Sequence, residues 1–347
     1  MKAAQLTTNG APLELRDVDA PTAQGREVVV RVQRCGVCHT DLHLHEGAFG
    51  LGGDKSLKLK QNLPLTLGHE IQGVVASTGD AVDTVSPGDA VVVYPWIGCG
   101  ECGMCKSGRE HLCGRARAIG VNVDGGYADL VHVVDARYVL PIGNVDPAQA
   151  AIIMCSGLSA WSALSKVAHA FEADLPVAII GLGGLGLMAL EIARARFGKL
   201  PAVLDVDPGK LELARERGAT AFDLNDADVH KQVRGSLGSL AAVVDFVGAE
   251  ATSAVAGRLC GQGGHIVVVG LYGGALHTPL PLLALRGTTI QGSYTGSLEE
   301  ARACLALAEQ GGLDPVPTVS CGREDLNGAF DRLRAGGVPG RIIIENE

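Results

Sequence analysis

One stretch near the middle of the chain restricts the fold more than any other. Val177–Ile180 reads as a short apolar strand, Gly181-Leu182-Gly183-Gly184-Leu185-Gly186 follows, and Leu187–Arg196 has helical patterning. The hexapeptide G-x-G-x-x-G is weak alone in a chain with 48 glycines. Here it lies between a strand and a helix, and Asp205 stands 19 residues past its last glycine, at the end of the next strand, Ala202–Leu204. That context predicts a dinucleotide-binding strand–turn–helix. The glycines permit the turn and the close approach of a pyrophosphate, which sits on the helix N-terminus. The Asp205 carboxylate would accept hydrogen bonds from ribose hydroxyls and repel a 2′-phosphate, favouring NAD over NADP. Gly181, Gly183, Gly184, Leu185, Gly186 and Asp205, with Lys210, Gly270 and Leu271, form the expected cofactor set.

The pattern continues on the C-terminal side. Asp207-Pro208 opens a helix, and Gly218 sits where a terminating glycine belongs. Ala242–Asp245 and His265–Val269 are further strands, with Glu250–Leu259 helical between them. Strands alternating with helices predict a parallel, doubly wound sheet in an α/β fold. The first 150 residues read differently, as mostly β: Glu27–Arg34, Ile71–Ser77 and Ala90–Tyr94 are strands, and SPGD at 86–89 is a turn. Gly47–Lys60 reads as an exposed loop. After about 292, helices over Leu298–Gln310 and Glu324–Ala335 precede a closing strand, RIIIEN. The expected division is a β-rich part from 1–152 and 292–347, with a Rossmann domain at 153–291 between its segments.

Cysteines supply the second constraint. Cys99, Cys102, Cys105 and Cys113 follow the spacing C-x2-C-x2-C-x7-C. Four thiolates at such spacing can close around one zinc, so a structural metal lobe is expected at about 95–115. Paired disulfides or unrelated buried thiols are the alternative. Glycines at 98, 100 and 103 let the chain wrap closely, and the short spacings strain paired disulfides.

Composition excludes several classes. A net charge of −9 argues against nucleic acid or anionic membrane as a main partner. The N-terminus MKAAQLTTNGAPLEL has no apolar signal core, and Val177–Leu190 is too short and glycine-broken to span a bilayer. Ten cysteines without a secretory signal point to metal and thiol chemistry in a reducing cytoplasm.

The run Cys35-Gly36-Val37-Cys38-His39-Thr40-Asp41-Leu42-His43 is followed by Gly68-His69-Glu70. With the cysteine lobe, the GLGGLG turn and a C-terminal Gly-Arg, these motifs occur in the order found in the zinc-dependent medium-chain alcohol dehydrogenases, which the chain resembles over essentially its whole length. The resemblance implies a GroES-like β-rich catalytic domain beside the Rossmann domain. It implies two zinc ions per chain, one catalytic on Cys38, His69 and Cys155, one structural on the four-cysteine lobe. Glu70 matches an acidic residue beside the ligand histidine that can approach the metal, and Asp41 the carboxylate that holds that histidine. Cys35 matches no ligand and reads as a small buried residue.

By the same resemblance, zinc acts as a Lewis acid on a substrate alcohol, and Thr40, a nicotinamide-ribose hydroxyl and His43 carry its proton to solvent. His39 matches a position facing the cofactor pyrophosphate, Ser159 a hydroxyl near the nicotinamide, and Arg341 an arginine reaching the pyrophosphate. Phe49 and Trp96 are candidates for an apolar substrate pocket, with a core role equally open. GHEIQG, GVNVDGGYADLV and MCSGLSAW look most like the prokaryotic, typically tetrameric branch.

The resulting expectation is an NAD-dependent oxidation of a primary or secondary alcohol, reversibly, to aldehyde or ketone. A polyol or other hydroxy-compound dehydrogenase of the same superfamily is the alternative enzyme. A zinc-free quinone reductase is disfavoured because all three matched ligands are present. A non-catalytic zinc- or nucleotide-binding protein would have no need of Thr40 and His43.

Overall fold

A computed structural model describes residues 1–346 apart from 337 and 339. The chain forms two compact units, one from Met1–Ala48, Lys58–Leu158 and Thr295–Glu347, the other from Phe49–Leu57 and Ser159–Tyr294.

The second unit is built on six parallel strands. Their order across the sheet is Ala221–Asp223, Ala202–Asp205, Val177–Ile180, Leu240–Asp245, Cys260–Val268 and Thr289–Gly292. Helices such as Gly184–Phe197 and Pro208–Glu216 follow individual strands. Val177–Ile180 and Ala202–Asp205 are buried at every position, as strands covered on both faces must be. Ile180, Leu204, Phe222, Val243, Leu259 and Ile266 belong to one apolar core. Strand order reverses direction between Val177–Ile180 and Leu240–Asp245, the position where open parallel sheets bind ligands.

The helix expected from Leu187 begins at Gly184, with Gly183 as its extended N-cap. Glycines carry no apolar periodicity, so the first helical turn was silent in the sequence. Gly47–Lys60 is not wholly irregular either: Ala48–Gly50 pairs with Ser56–Lys58 in a short hairpin. Those strands are three residues each, too short to show alternation.

In the first unit the long strand Val28–Val37 is central. It pairs antiparallel with Glu70–Thr78, Leu130–Val133 and Arg341–Glu345. Gly36 stands opposite Glu70, and Val37 opposite Ile342. This register gathers three chain segments, carrying Cys38, His69–Glu70 and Arg341, at one end of the sheet. A second sheet orders Glu14–Asp17, Lys2–Leu6 and Leu65–Thr66.

The expected late helices are Leu298–Glu309, opened by a Ser297/Glu300 capping box, and Leu326–Ala335 after a 3-10 turn at Arg323–Asp325. Pro147–Lys166 is helical, and by length and composition could cross a membrane, but 78% of its apolar window is buried in the protein, as in a core helix.

Candidate metal centres and cofactor turn

The four-cysteine lobe is a tight wrap with glycine hinges. Cys102 Sγ lies 3.5 Å from Cys105 Sγ and 3.8 Å from Cys113 Sγ, and Cys99 Sγ is 4.0 Å from Cys105 Sγ. Sulfurs bonded to each other would be about 2.05 Å apart. Four sulfurs at about 2.3 Å from one tetrahedral zinc stand roughly 3.8 Å from one another. The observed spacing therefore fits a metal and not a disulfide, and all ten cysteines are free thiols. Backbone N–H groups of Cys99 and Arg115 point at Cys113 Sγ at 3.4 and 3.3 Å. Backbone hydrogen bonds at Glu101 and Cys102 pull the Cys99 thiol down to about 6, toward the thiolate that zinc requires.

The second cluster is assembled from distant segments. Cys38 caps the N-terminus of the helix His39–Glu46 at the end of the central strand. His69 immediately precedes, and Glu70 begins, the neighbouring strand Glu70–Thr78. Cys155 lies in a π-helical turn, Ile153–Gly157, a helical irregularity frequent at functional sites. Candidate ligand atoms of Cys38, His69, Glu70 and Cys155 all lie within 4.8 Å of one another, and all four residues are buried. The two thiols are 3.9 Å apart. His69 Nε2 is buried with no hydrogen-bond partner among the described residues. Such an orphan costs about 1–3 kcal/mol unless something occupies it. A metal ion would, and the donor set of two thiols and an imidazole suits zinc. The Cys155 hydrogen bond draws the Cys38 thiol well below its usual range, against the effect of burial, the direction that metal ligation by a thiolate requires.

Asp41, at the third helical position, lies 3.3 Å from His69 Nδ1 through Oδ1, and its Oδ2 accepts the Cys38 N–H at 2.9 Å. The Tyr127 hydroxyl donates to the same oxygen at 2.9 Å. Sequence reasoning passed over Tyr127, although it stands in the GGYADLV run. Glu70 is fully buried: burial raises its carboxyl and the Arg341 charge opposes that rise. Arg341 forms a buried ion pair with Glu70, while its Nε has no partner among the described residues. The expected reach of Arg341 to a pyrophosphate thus starts from a guanidinium already engaged at Glu70.

Thr40 and His43 occupy the same short helix at i and i+3, a spacing that shares one face. Both are half-buried, and His39 beside them is exposed. Burial lowers the His43 pKa from its ordinary value. Trp96 is buried with its ring 5.4 Å from the His69 ring, and its indole N–H donates to the Met154 carbonyl at 3.2 Å. Phe49 belongs to the other unit, in the hairpin, and Ser159 begins that unit's helical segment. Cys35 is buried, and burial pushes its thiol up, which suits a packing residue.

In the Rossmann unit Gly181 has φ +90°, open to glycine, and a Cβ on Gly186 would strike the Gly181 carbonyl. A Cβ on Gly183 would meet nothing, so space lies open before the helix N-terminus. A pyrophosphate fits such a cradle. Asp205 accepts the Leu182 N–H at 2.6 Å and the Val206 and Asp207 N–H groups at 2.8 and 2.9 Å. Lys210 lies in the helix Asp207 caps, its N–H 3.3 Å from the Asp207 carboxylate. Gly270 packs on the Val247 backbone, and Leu271 beside it is exposed.

A two-unit protein with a four-cysteine lobe, a buried Cys–His–Cys cluster and a glycine-rich strand–turn–helix has the design of a metal-dependent dehydrogenase. Residues 24–144 match the alcohol dehydrogenase GroES-like domain and residues 184–310 the zinc-binding dehydrogenase domain. The chain belongs to the zinc-dependent, medium-chain alcohol dehydrogenase family. It is 37% identical over 349 residues to an NAD-dependent alcohol dehydrogenase of Sulfolobus acidocaldarius, covering 99% of each chain. It is 30% identical over 349 residues to a D-arabinose 1-dehydrogenase (NADP(+)) of Saccharolobus solfataricus, covering 99% of this chain and 97% of the relative. Among solved structures, the alcohol dehydrogenase of Aeropyrum pernix superposes with a TM-score of 0.89 at 32% identity, covering 100% of both chains.

Proposed function

We propose that this chain is an NAD-dependent alcohol dehydrogenase that reversibly oxidises a primary or secondary alcohol to the aldehyde or ketone. One observation carries the reading: two thiols and an unpaired imidazole nitrogen converge, buried, in a chain that also holds the dinucleotide turn. We assign one zinc to Cys38, His69 and Cys155 and a second to the four-cysteine lobe. Bound zinc would supply Lewis acidity toward the alcohol oxygen, and a bound nicotinamide would supply the hydride acceptor. The chain's own residues do the rest. Asp41 orients His69. Trp96 helps keep water from the buried cluster. Thr40 Oγ1 takes the alcohol's proton and His43 passes it toward solvent.

His43 serves as a proton acceptor only when neutral. Its depressed pKa extends the neutral form to lower pH, so the relay works where hydroxide is scarce. His43→Gln is expected to slow alcohol oxidation most below about pH 7, by about 10²-fold or less, and little at high pH. Thr40→Ala should be worse at every pH, and Thr40→Ser close to wild type. A pH–rate profile checks this, and an unchanged kcat for Thr40→Ala removes the relay.

A panel of alcohols, sugars and aldehydes, run with NAD and NADP, tests the function. Asp205 and Asp207 offer a 2′-phosphate no cation, so NAD should be preferred at least about tenfold, about 1.4 kcal/mol. Asp205→Ala should narrow that gap. Equal efficiency with NADP, or turnover confined to sugars, would favour the polyol alternative.

The homotetramer is our reading too. The edge strand Thr289–Gly292 offers a second copy a sheet edge, and Tyr272, Leu280 and Leu285 of the same unit are exposed. Ten cysteines with no disulfide among the described residues, six of them assigned to zinc, support a reducing cytoplasm. Light scattering and cell fractionation check these two readings.

A further inference from the structure

The Asp41 carboxylate is fully buried and ringed by donors. Oδ2 accepts the Cys38 N–H and the Tyr127 hydroxyl, each at 2.9 Å. Oδ1 accepts the Gly68 N–H at 3.3 Å and lies 3.3 Å from His69 Nδ1. Two of the three donors are backbone groups, and the imidazole, at ion-pair distance from Oδ1 without a formed hydrogen bond, is the group to be aimed. Tyr127 is the remaining side chain that fixes the carboxylate. Its hydroxyl also lies 3.3 Å from the Gly36 carbonyl. A hydroxyl has one proton to give, and the shorter, charge-assisted bond to Asp41 takes it.

The ring is held as closely as the hydroxyl. Tyr127 is fully buried, its N–H donates to the Leu67 carbonyl at 3.1 Å, and the Gly126 N–H donates to the Gly68 carbonyl at 2.8 Å. Gly68 has φ +91°, and a Cβ there would lie 2.8 Å from the Tyr127 ring. The ring therefore packs against the backbone that leads directly into His69. Tyr127 grips both things that aim the imidazole, the Asp41 carboxylate and the Leu67–Gly68 segment.

We infer that Tyr127 is a positioning residue for the metal centre. It fixes Asp41 so that His69 Nδ1 stays turned to the carboxylate and Nε2 is left for the two thiols. The inference rests on the zinc reading above. Loss of the hydroxyl frees the carboxylate to turn, and the imidazole loses the anchor that sets its direction. The effect falls on metal retention as well as on rate.

The test is transfer of zinc from the loaded, full-length protein to a chromogenic chelator. The phase of release that Cys38→Ser abolishes reports the catalytic cluster. Tyr127→Phe keeps the ring and should speed that phase about tenfold, the lower end of what such outer partners control. Release from the four-cysteine lobe should not change, and the melting temperature should fall by no more than about 10 °C, the cost of one buried hydrogen bond. Asp41→Asn should speed the same phase at least as much. Adding Tyr127→Phe to Asp41→Asn should then change it less than about twofold, because both act through one carboxylate. Release at the wild-type rate in Tyr127→Phe overturns the inference. So do effects that multiply in the double variant, or a lowered melting temperature with unchanged release. A wild-type protein with no Cys38-dependent phase overturns the zinc reading and the inference together, which separates the two failures.

Discussion

His69→Ala is expected to leave a folded protein with almost no turnover. Lewis-acid polarisation is worth several kcal/mol, and each 1.36 kcal/mol is tenfold in rate, so kcat should fall by roughly 10³-fold or more. The fold should persist because His69 lies where the strand Glu70–Thr78 begins, beside a sheet whose ladders do not depend on the imidazole. Cys38→Ser should behave alike. Elemental analysis should find one zinc in either variant and two in the wild type. Wild-type turnover in a zinc-depleted cluster would remove Cys38, His69 and Cys155 from the chemistry.

Cys102→Ser should do the opposite, costing stability first and activity second. Cys102 approaches two other thiols of the lobe, at 3.5 and 3.8 Å. The lobe has little apolar core of its own: the helix Gly103–Lys106 has no buried residue. With zinc bound as proposed, its folding free energy would come largely from the metal. A loss of about 3 kcal/mol would lower the melting temperature by roughly 6–12 °C in a unit of this size. Thermal unfolding with and without chelator measures it. A Cys102→Ser melting curve that overlays the wild type would make the lobe's metal dispensable.

The nucleotide turn was legible because its information is local. Strand, glycines, helix and Asp205 lie within one continuous run, and a Cβ on Gly186 would strike the carbonyl of Gly181 in the same turn. The division of character between β-rich ends and an alternating centre was legible for the same reason. The Glu70–Arg341 pair and the Tyr127–Asp41 bond were not, because they join residues 271 and 86 positions apart. Only the register of Val28–Val37 with its neighbours creates those contacts. The π-helical turn around Cys155 also left no mark, since a single widened turn hardly alters apolar spacing.

The two metal clusters differ in how much chain each must wait for. The lobe closes between residues 14 positions apart, from Cys99 to Cys113. The buried Cys–His–Cys cluster joins Cys38 to Cys155 across 117 positions, and places His69 by strand pairing that must already exist. Closing a longer loop costs more conformational entropy, and such contacts form late. The lobe can therefore gather its ligands while most of the chain is still disordered. The buried Cys–His–Cys cluster exists only once the sheet is assembled, so a metal held there is a mark of completed folding.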